Sequence, residues 1–241
     1  MKLQPPVQSS FQNMTIDISE IEPLLQGPPS TVPACPEAQI KLRDGRTMFI
    51  RSMTDDDIDP LLGYMEKIMK VQHDFYDIVG VRVYAEILAV RRKRMKDPFT
   101  LLGLVDGQLT GFANGRLFNK DIAISLHTMT FARRGRIGYA MYYAKTYYAL
   151  EIARVNEWWS TFESYNGWRM AGLEMAQPTK PWPEYQHELG GATIYYVTKD
   201  YWDASVKNFA QQMIGSDLDF NVTDEVRKAN EKLIIPDEVV V

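Results

Sequence analysis

Hydrophobic and polar residues alternate through two short runs, Ile40 to Arg43 and Arg46 to Met53, on either side of Asp44-Gly45. Period-two alternation predicts strands, and Asp-Gly supplies the positive φ angles of a tight two-residue turn, so this segment reads as a hairpin. Thr54 then stands where an N-cap belongs, with Asp55, Asp56 and Asp57 at the positive end of the helix dipole. Leu61, Leu62, Met65, Ile68 and Met69 continue as a helical stripe, with Pro60 tolerated in a first turn. A second helix is predicted over Val83 to Lys96, stopped by Pro98.

Alternation returns in Phe99 to Val105, Gln108 to Phe118 and Ile122 to Phe131. Asp106-Gly107 separates the first two, so these three runs read as an antiparallel meander. Ile137, Met141, Ala144, Tyr148 and Ile152 then repeat at helical spacing, which predicts a helix over Ile137 to Arg154 with one face on a sheet. Beyond it come a strand over Glu157 to Phe162, a short helix over Asn166 to Met175 and a loop marked by Pro178, Pro181 and Pro183. A late strand over Ala192 to Val197 and a helix over Tyr201 to Ile214 follow. Trp182 in the proline loop suits a substrate lid or the edge of a dimer contact.

The predicted domain spans residues 38–214. Residues 1–37 are a proline-rich tail in which Pro5, Pro6, Pro23, Pro28, Pro29, Pro33 and Pro36 break any long helix. Ile16, Ile18, Ile21, Leu24 and Leu25 form a small apolar cluster there, read as a segment laid on the domain or as a peptide that docks on another protein. Residues 215–241 are a C-terminal extension: Thr223 to Leu233 could be a helix, and Val239 to Val241 could join a sheet edge. The element order predicts an α/β or α+β sandwich and excludes a doubly wound parallel fold, because the meander is antiparallel and the glycine-rich turn comes late.

With 45% hydrophobic residues and 12% aromatics the chain can build a normal core, which excludes a wholly disordered protein. A net charge of −4 lacks the basic surplus of a general nucleic-acid binder. The run Arg91, Arg92, Lys93, Arg94 and Lys96 reads as a solvated helix face, with nucleic-acid contact as the alternative. One cysteine, Cys35, rules out an internal disulfide, and His73, His127 and His187 lack ligand spacing, so no metal site is expected. No run reaches the roughly 20 apolar residues of a membrane span, and the N-terminus lacks a signal-peptide layout. The default compartment is the cytoplasm, or wherever a partner such as a virion carries the protein. Tyr139, Tyr142, Tyr143, Tyr147 and Tyr148 lie all round one helix; Tyr148 is expected in the core, and the others are candidates to cover a neighbour or a second subunit.

The segment that bears chemistry is Thr128 to Met141. A strand runs into a turn containing Arg133, Arg134, Gly135, Arg136 and Gly138, and that turn opens a helix at Ile137. The first amides of a helix have no internal partners, and the dipole there favours an anion. The two glycines allow close approach and the arginines add charge. The alternative is an ordinary strand-to-helix connection with a solvated basic rim.

Element order from Gln39 to Tyr201, together with this turn, resembles the GNAT superfamily of N-acetyltransferases, a mixed, mostly antiparallel sheet flanked by helices. The likeness extends most naturally to divergent bacteriophage-encoded members. In that family the turn follows the fourth strand, reads Gln/Arg-x-x-Gly-x-Gly/Ala, and holds the pyrophosphate of coenzyme A. From Arg133, the first position and Gly138 match while Arg136 replaces a glycine; from Gly135, Gly138 and Ala140 match while the leading residue is lost.

The resemblance implies acetyl-CoA as cosubstrate and a primary amine, on a small molecule or a protein, as acceptor. It implies that Met129 to Phe131 pair with the pantetheine arm. The thioester would sit in a wedge between Phe131 and the strand from Trp158 to Phe162, and Asn166 would contact the arm. Glu163 is a candidate base at the end of that second strand, and His127 another, acting through water. The family's acid is a tyrosine after the asparagine. Gly167 to Leu173 contains none, which leaves Tyr165 as the substitute. The departures from the motif leave a second reading open: a GNAT-shaped binding or structural protein without turnover, such as a component of a virion-like assembly docked by its tail.

Overall fold

Two periodicities divide the chain between one sheet and the helices on its two faces. The computed structural model describes residues 18–182, 184–185 and 193–240. Pro5, Pro6, Ile16, Pro183, His187, Ala192 and Val241 lie outside them. Seven strands run β1 (Ala38–Lys41), β2 (Thr47–Ser52), β3 (Pro98–Val105), β4 (Gln108–Leu117), β5 (Ile122–Thr130), β6 (Glu157–Ser160) and β7 (Tyr195–Thr198). They lie side by side in chain order. Every pairing is antiparallel except β5 with β6, which is parallel.

Alternation sends successive side chains to opposite faces. Ile50 and Leu101 join a core with α4 (Ile137–Tyr147), whereas their neighbours Phe49 and Leu102 join a second core with α2 (Asp55–Ile68) and α3 (Tyr76–Arg91). Each fully buried Leu, Ile or Phe contributes about 1.5–3 kcal/mol, so both helical layers are held firmly. No helix among the described residues is long and apolar enough to cross a membrane.

The two Asp-Gly pairs behave differently. Asp106 and Gly107 both have positive φ, 52° and 79°, and make the expected two-residue turn between β3 and β4. At Asp44-Gly45 only Gly45 does, at 92°. Leu42 N–H bonds Arg46 O and Gly45 N–H bonds Leu42 O, so this loop has three residues rather than two. Pro60 stands in the second turn of α2, not the first, on an exposed face where water can reach the carbonyl it leaves without a donor.

Helix α3 begins at Tyr76 and ends at Arg91, earlier at both ends than its apolar spacing predicted. Gly80 lies inside it because α2 approaches closely: a Cβ there would stand 3.0 Å from Ile68 Cγ2 and 3.2 Å from the Met69 nitrogen. Helix α1 (Ile18–Leu25) carries Glu22 to Arg92 and Arg94, and Thr31 N–H bonds Asp97 Oδ1, so the described part of the tail is laid on the domain.

Helix α4 passes into a wider turn, Tyr148–Ile152. Tyr139, Tyr142 and Tyr143 on α4 are buried within this chain, as is Tyr148 just beyond it, so the first three are not free to cover a second subunit. After β6 come α5 (Tyr165–Trp168), continuing as a wide helix over Arg169–Glu174, and then β7. Helix α6 (Lys199–Tyr201) runs through the wide turn Trp202–Val206 into α7 (Lys207–Ile214), and α8 (Asp224–Ala229) follows. The C-terminal segment straps the β3–β4 turn: Gly107 N–H bonds Asn230 Oδ1, and Leu109 N–H bonds Ile234 O. Val239 packs on the second core instead of extending the sheet.

Candidate active site

Strands β5 and β6 share a register only at Ile122–Glu157, Ala123–Trp158 and Ile124–Trp159. Beyond that they part. The β4–β5 register slips there, because Ala113 faces Thr128 but Gly115 already faces Ser125, leaving Asn114 opposite both Leu126 and His127. Asn114 Oδ1 accepts the His127 N–H at 2.8 Å and so caps the extra residue. A bulge of this kind bends and twists its strand, which turns β5 away from β6. The wedge holds a cavity of about 370 Å³, walled by β5 and by Thr161 to Ser164, with Gly138 and Arg133 at its margin.

Phe131 N–H bonds Thr110 O. Antiparallel pairing alternates, so Phe131 and Met129 spend their backbone groups on β4, while Thr128 and Thr130 turn theirs to the wedge. That corrects the expectation that Met129 and Phe131 themselves pair with an arm in the cleft; their side chains are buried in the α2–α3 core. Tyr76 hydroxyl already donates to Thr130 O at 3.3 Å.

The turn into α4 is strained. Arg134, Gly135 and Arg136 have φ of 70°, 68° and 63°. A left-handed residue other than glycine costs on the order of 1–3 kcal/mol and persists only when its surroundings hold it. The β1–β2 loop does so. Arg43 N–H reaches Gly135 O, Arg46 Nη2 reaches Arg133 O, and a Cβ on Gly135 would lie 2.7 Å from Asp44 Oδ2. The bond from Arg46 holds the Asp44 carboxyl below its usual range.

Among the described residues, no backbone N–H from Ala132 through Tyr139 has an acceptor at close hydrogen-bond distance and angle, although Gly135 and Arg136 lie in a turn. Nor does any carboxylate pair with Arg133, Arg134 or Arg136, all of which are exposed. The Arg136 guanidinium lies over the Tyr139 ring at 5.5 Å. Gly138 leaves room, with Thr130 Cγ2 the nearest atom at 3.6 Å from a built Cβ. Ile137 is buried in the α4 core and offers only its amide. Tyr139 Oη and Thr128 Oγ1 are buried without partners, and both residues line the cavity.

Of the candidate acids and bases, His127 lies in the wall with Nε2 3.0 Å from Glu86 Oε1 of α3. Glu86 Oε2 accepts Asn114 Nδ2 at 2.6 Å, so one asparagine joins the bulge to this carboxylate. Glu163 reaches the cleft but pairs with Arg82 of α3 across its mouth. Tyr165 is 64% exposed and is not part of the cavity wall. Its N–H, and the amide of Asn166 in the wall, bond Asp74.

Sequence reasoning missed Lys145. It is buried in the cavity floor, donating to Ser125 Oγ at 2.6 Å and His127 O at 2.9 Å, and burial lowers its pKa to about 7 against the pull of Glu86. A signal existed, since Lys145 stands four residues after Met141 and three before Tyr148, on the stripe read as core.

No protein-family model and no curated protein sequence matches the chain. Solved structures do. An uncharacterised protein from Bacillus halodurans aligns with a TM-score of 0.53 at 10% identity, covering 75% of this chain and 100% of that one. Mycobacterium smegmatis RimJ, solved in complex with CoA-disulfide, aligns with a TM-score of 0.52 at 11% identity, covering 75% of this chain and 94% of that one. The likeness at these identities is one of fold. The mixed, mostly antiparallel sheet is the GNAT fold that the element order led us to expect.

Proposed function

We propose that this GNAT-fold chain is an N-acyltransferase that moves an acetyl group from acetyl-CoA to a primary amine. One observation carries the reading: a run of free backbone amides at the head of α4, ringed by arginines without carboxylate partners, opens beside the cleft where β5 and β6 part. Amides and the helix dipole there would hold the diphosphate, with Arg133 and Arg136 adding charge. The backbone groups of Thr128 and Thr130 would take the extended arm, and Asn166 stands on the opposite wall. RimJ, which shares the fold, was solved with CoA-disulfide.

The acceptor nitrogen must lose a proton as it becomes the amide. His127 is the best-placed group, because Nε2–H donated to Glu86 leaves Nδ1 as the base. Glu163, engaged by Arg82, is a poorer base and suits the rim of the acceptor entrance. The exposure of Tyr165 favours, on this point alone, the second reading of a binding protein without turnover.

Thermal unfolding with and without acetyl-CoA tests the reading. Ligand at about 100 times its dissociation constant adds about 2.7 kcal/mol. A shift, followed by thiol release with a panel of amines, is the expected result. No shift at millimolar acetyl-CoA would reject cofactor binding, and a shift without thiol release would leave only the binding protein.

A further inference from the structure

Lys145 is the only buried lysine or arginine among the described residues. Two of its three N–H bonds go to β5, to Ser125 Oγ and His127 O, at the place where the wedge opens. No carboxylate among the described residues forms an ion pair with it. The rings of Tyr142 and Trp158 lie 5.8 Å and 5.6 Å away, and the cavity is the remaining neighbour. The titratable groups near it are Glu86 from α3 and Tyr142 from α4; β5 presents the Ser125 hydroxyl and the His127 carbonyl, and β6 the Trp158 ring.

A buried ammonium without a counter-ion is costly, and an apolar side chain of similar volume would fill the site at lower cost. Stability therefore does not account for a lysine here. Chemistry in the cleft does. The expected tyrosine acid is missing from Gly167 to Leu173, and Tyr165 stands outside the wall.

We propose that Lys145 is the acid that protonates the departing thiolate. This role rests on the acyl-transfer reading. The acceptor nitrogen attacks the thioester carbonyl carbon, the new C–N bond forms, and the surplus proton on nitrogen passes to His127. The C–S bond breaks with its electron pair left on sulfur, and the Lys145 ammonium gives that sulfur a proton. Lys145 then regains a proton from water and His127 returns one to water, so the sum is amine plus thioester to amide plus thiol. A lysine whose burial brings its pKa to about 7 gives up a proton far more readily than an exposed one.

The test uses Lys145→Met and Lys145→Arg, the second keeping the charge in a group that does not release a proton. Both should still bind acetyl-CoA, while thiol release falls about 100-fold. With an S-(4-nitrophenyl) thioacetate donor, whose thiol leaves without help, each variant should come within about threefold of wild type, since general-acid assistance matters only for a poor leaving group. A packing role would lower both donors alike, and that result, or unchanged turnover, overturns the proposal.

A second readout needs no turnover. Above about pH 7 the folded chain should hold fewer protons at this site than the unfolded chain. The folded-to-unfolded ratio of wild type relative to Lys145→Met should therefore rise by about tenfold per pH unit up to pH 9. A flat difference means a permanently ionised lysine and overturns the role. Failure of wild type to bind acetyl-CoA would remove the premise itself, which neither of the other failures does.

Discussion

Two arginine-rich segments of similar composition sit at opposite poles of helices. Arg91 to Lys96 lies at the C-terminal end of α3, where the dipole favours cations. Its charge is also neutralised locally: Arg91 pairs with Asp59 at 2.7 Å, Arg94 with Glu22 at 2.8 Å, and Arg92 with Glu22 at 3.8 Å. Arg133, Arg134 and Arg136 crowd the N-terminal end of α4, where the dipole opposes them, and among the described residues no carboxylate pairs with them, the nearby Asp44 being engaged by Arg46. The first arrangement is complete in itself. The second would be relieved by an anion from outside. A run of basic residues therefore says little until its helix pole and its partners are known.

Reversing the charge at the second pole should break the comparison most severely. Gly138→Asp has room for its Cβ and would put a carboxylate where the diphosphate would lie. We expect acetyl-CoA affinity to fall at least about 100-fold, or roughly 3 kcal/mol, with the melting temperature little changed. Affinity by fluorescence competition and the melting temperature measured together would check this.

Next in size is Gly135→Ala. It sets a methyl 2.7 Å from Asp44 Oδ2 at a φ of 68°. A loss of about 1–3 kcal/mol in urea unfolding is expected, with weaker cofactor binding because the turn moves off its support.

Single removals sharpen the contrast. Arg133→Ala and Arg136→Ala should each weaken acetyl-CoA binding about five- to tenfold at low salt, and by less as salt screens the site. Arg91→Ala and Arg94→Ala should leave binding unchanged and cost at most about 0.5 kcal/mol of stability, as exposed ion pairs do. Equal effects from the two segments would mean that neither is a site.

Much of the frame was legible in the sequence. The meander, the Asp106-Gly107 turn and the strand-turn-helix at Phe131 to Ile137 follow from local pattern, because period-two alternation and paired positive φ are properties of neighbours. What pattern reading lost was non-local. Glu86 meets His127, and Asn114 meets both, across three elements and a strand bulge that leaves no mark on alternation. The start of α3 was hidden because Gly80 reads as a breaker until α2 packs on it. Lys145 is a polar residue among tyrosines in the sequence, and only its place on the apolar stripe marks it as buried. Tyr165 is the substitute the sequence offers because Gly167 to Leu173 holds no tyrosine, and the fold leaves it exposed.

The central claim is that the free amides between Ala132 and Tyr139 form a cradle for a diphosphate. Calorimetric titration of coenzyme A into the wild-type chain, repeated with inorganic pyrophosphate present, addresses it most directly. Binding at one site per chain that pyrophosphate displaces, and that Gly138→Asp abolishes, is the predicted result. Binding indifferent to both, or no heat at all, would contradict it.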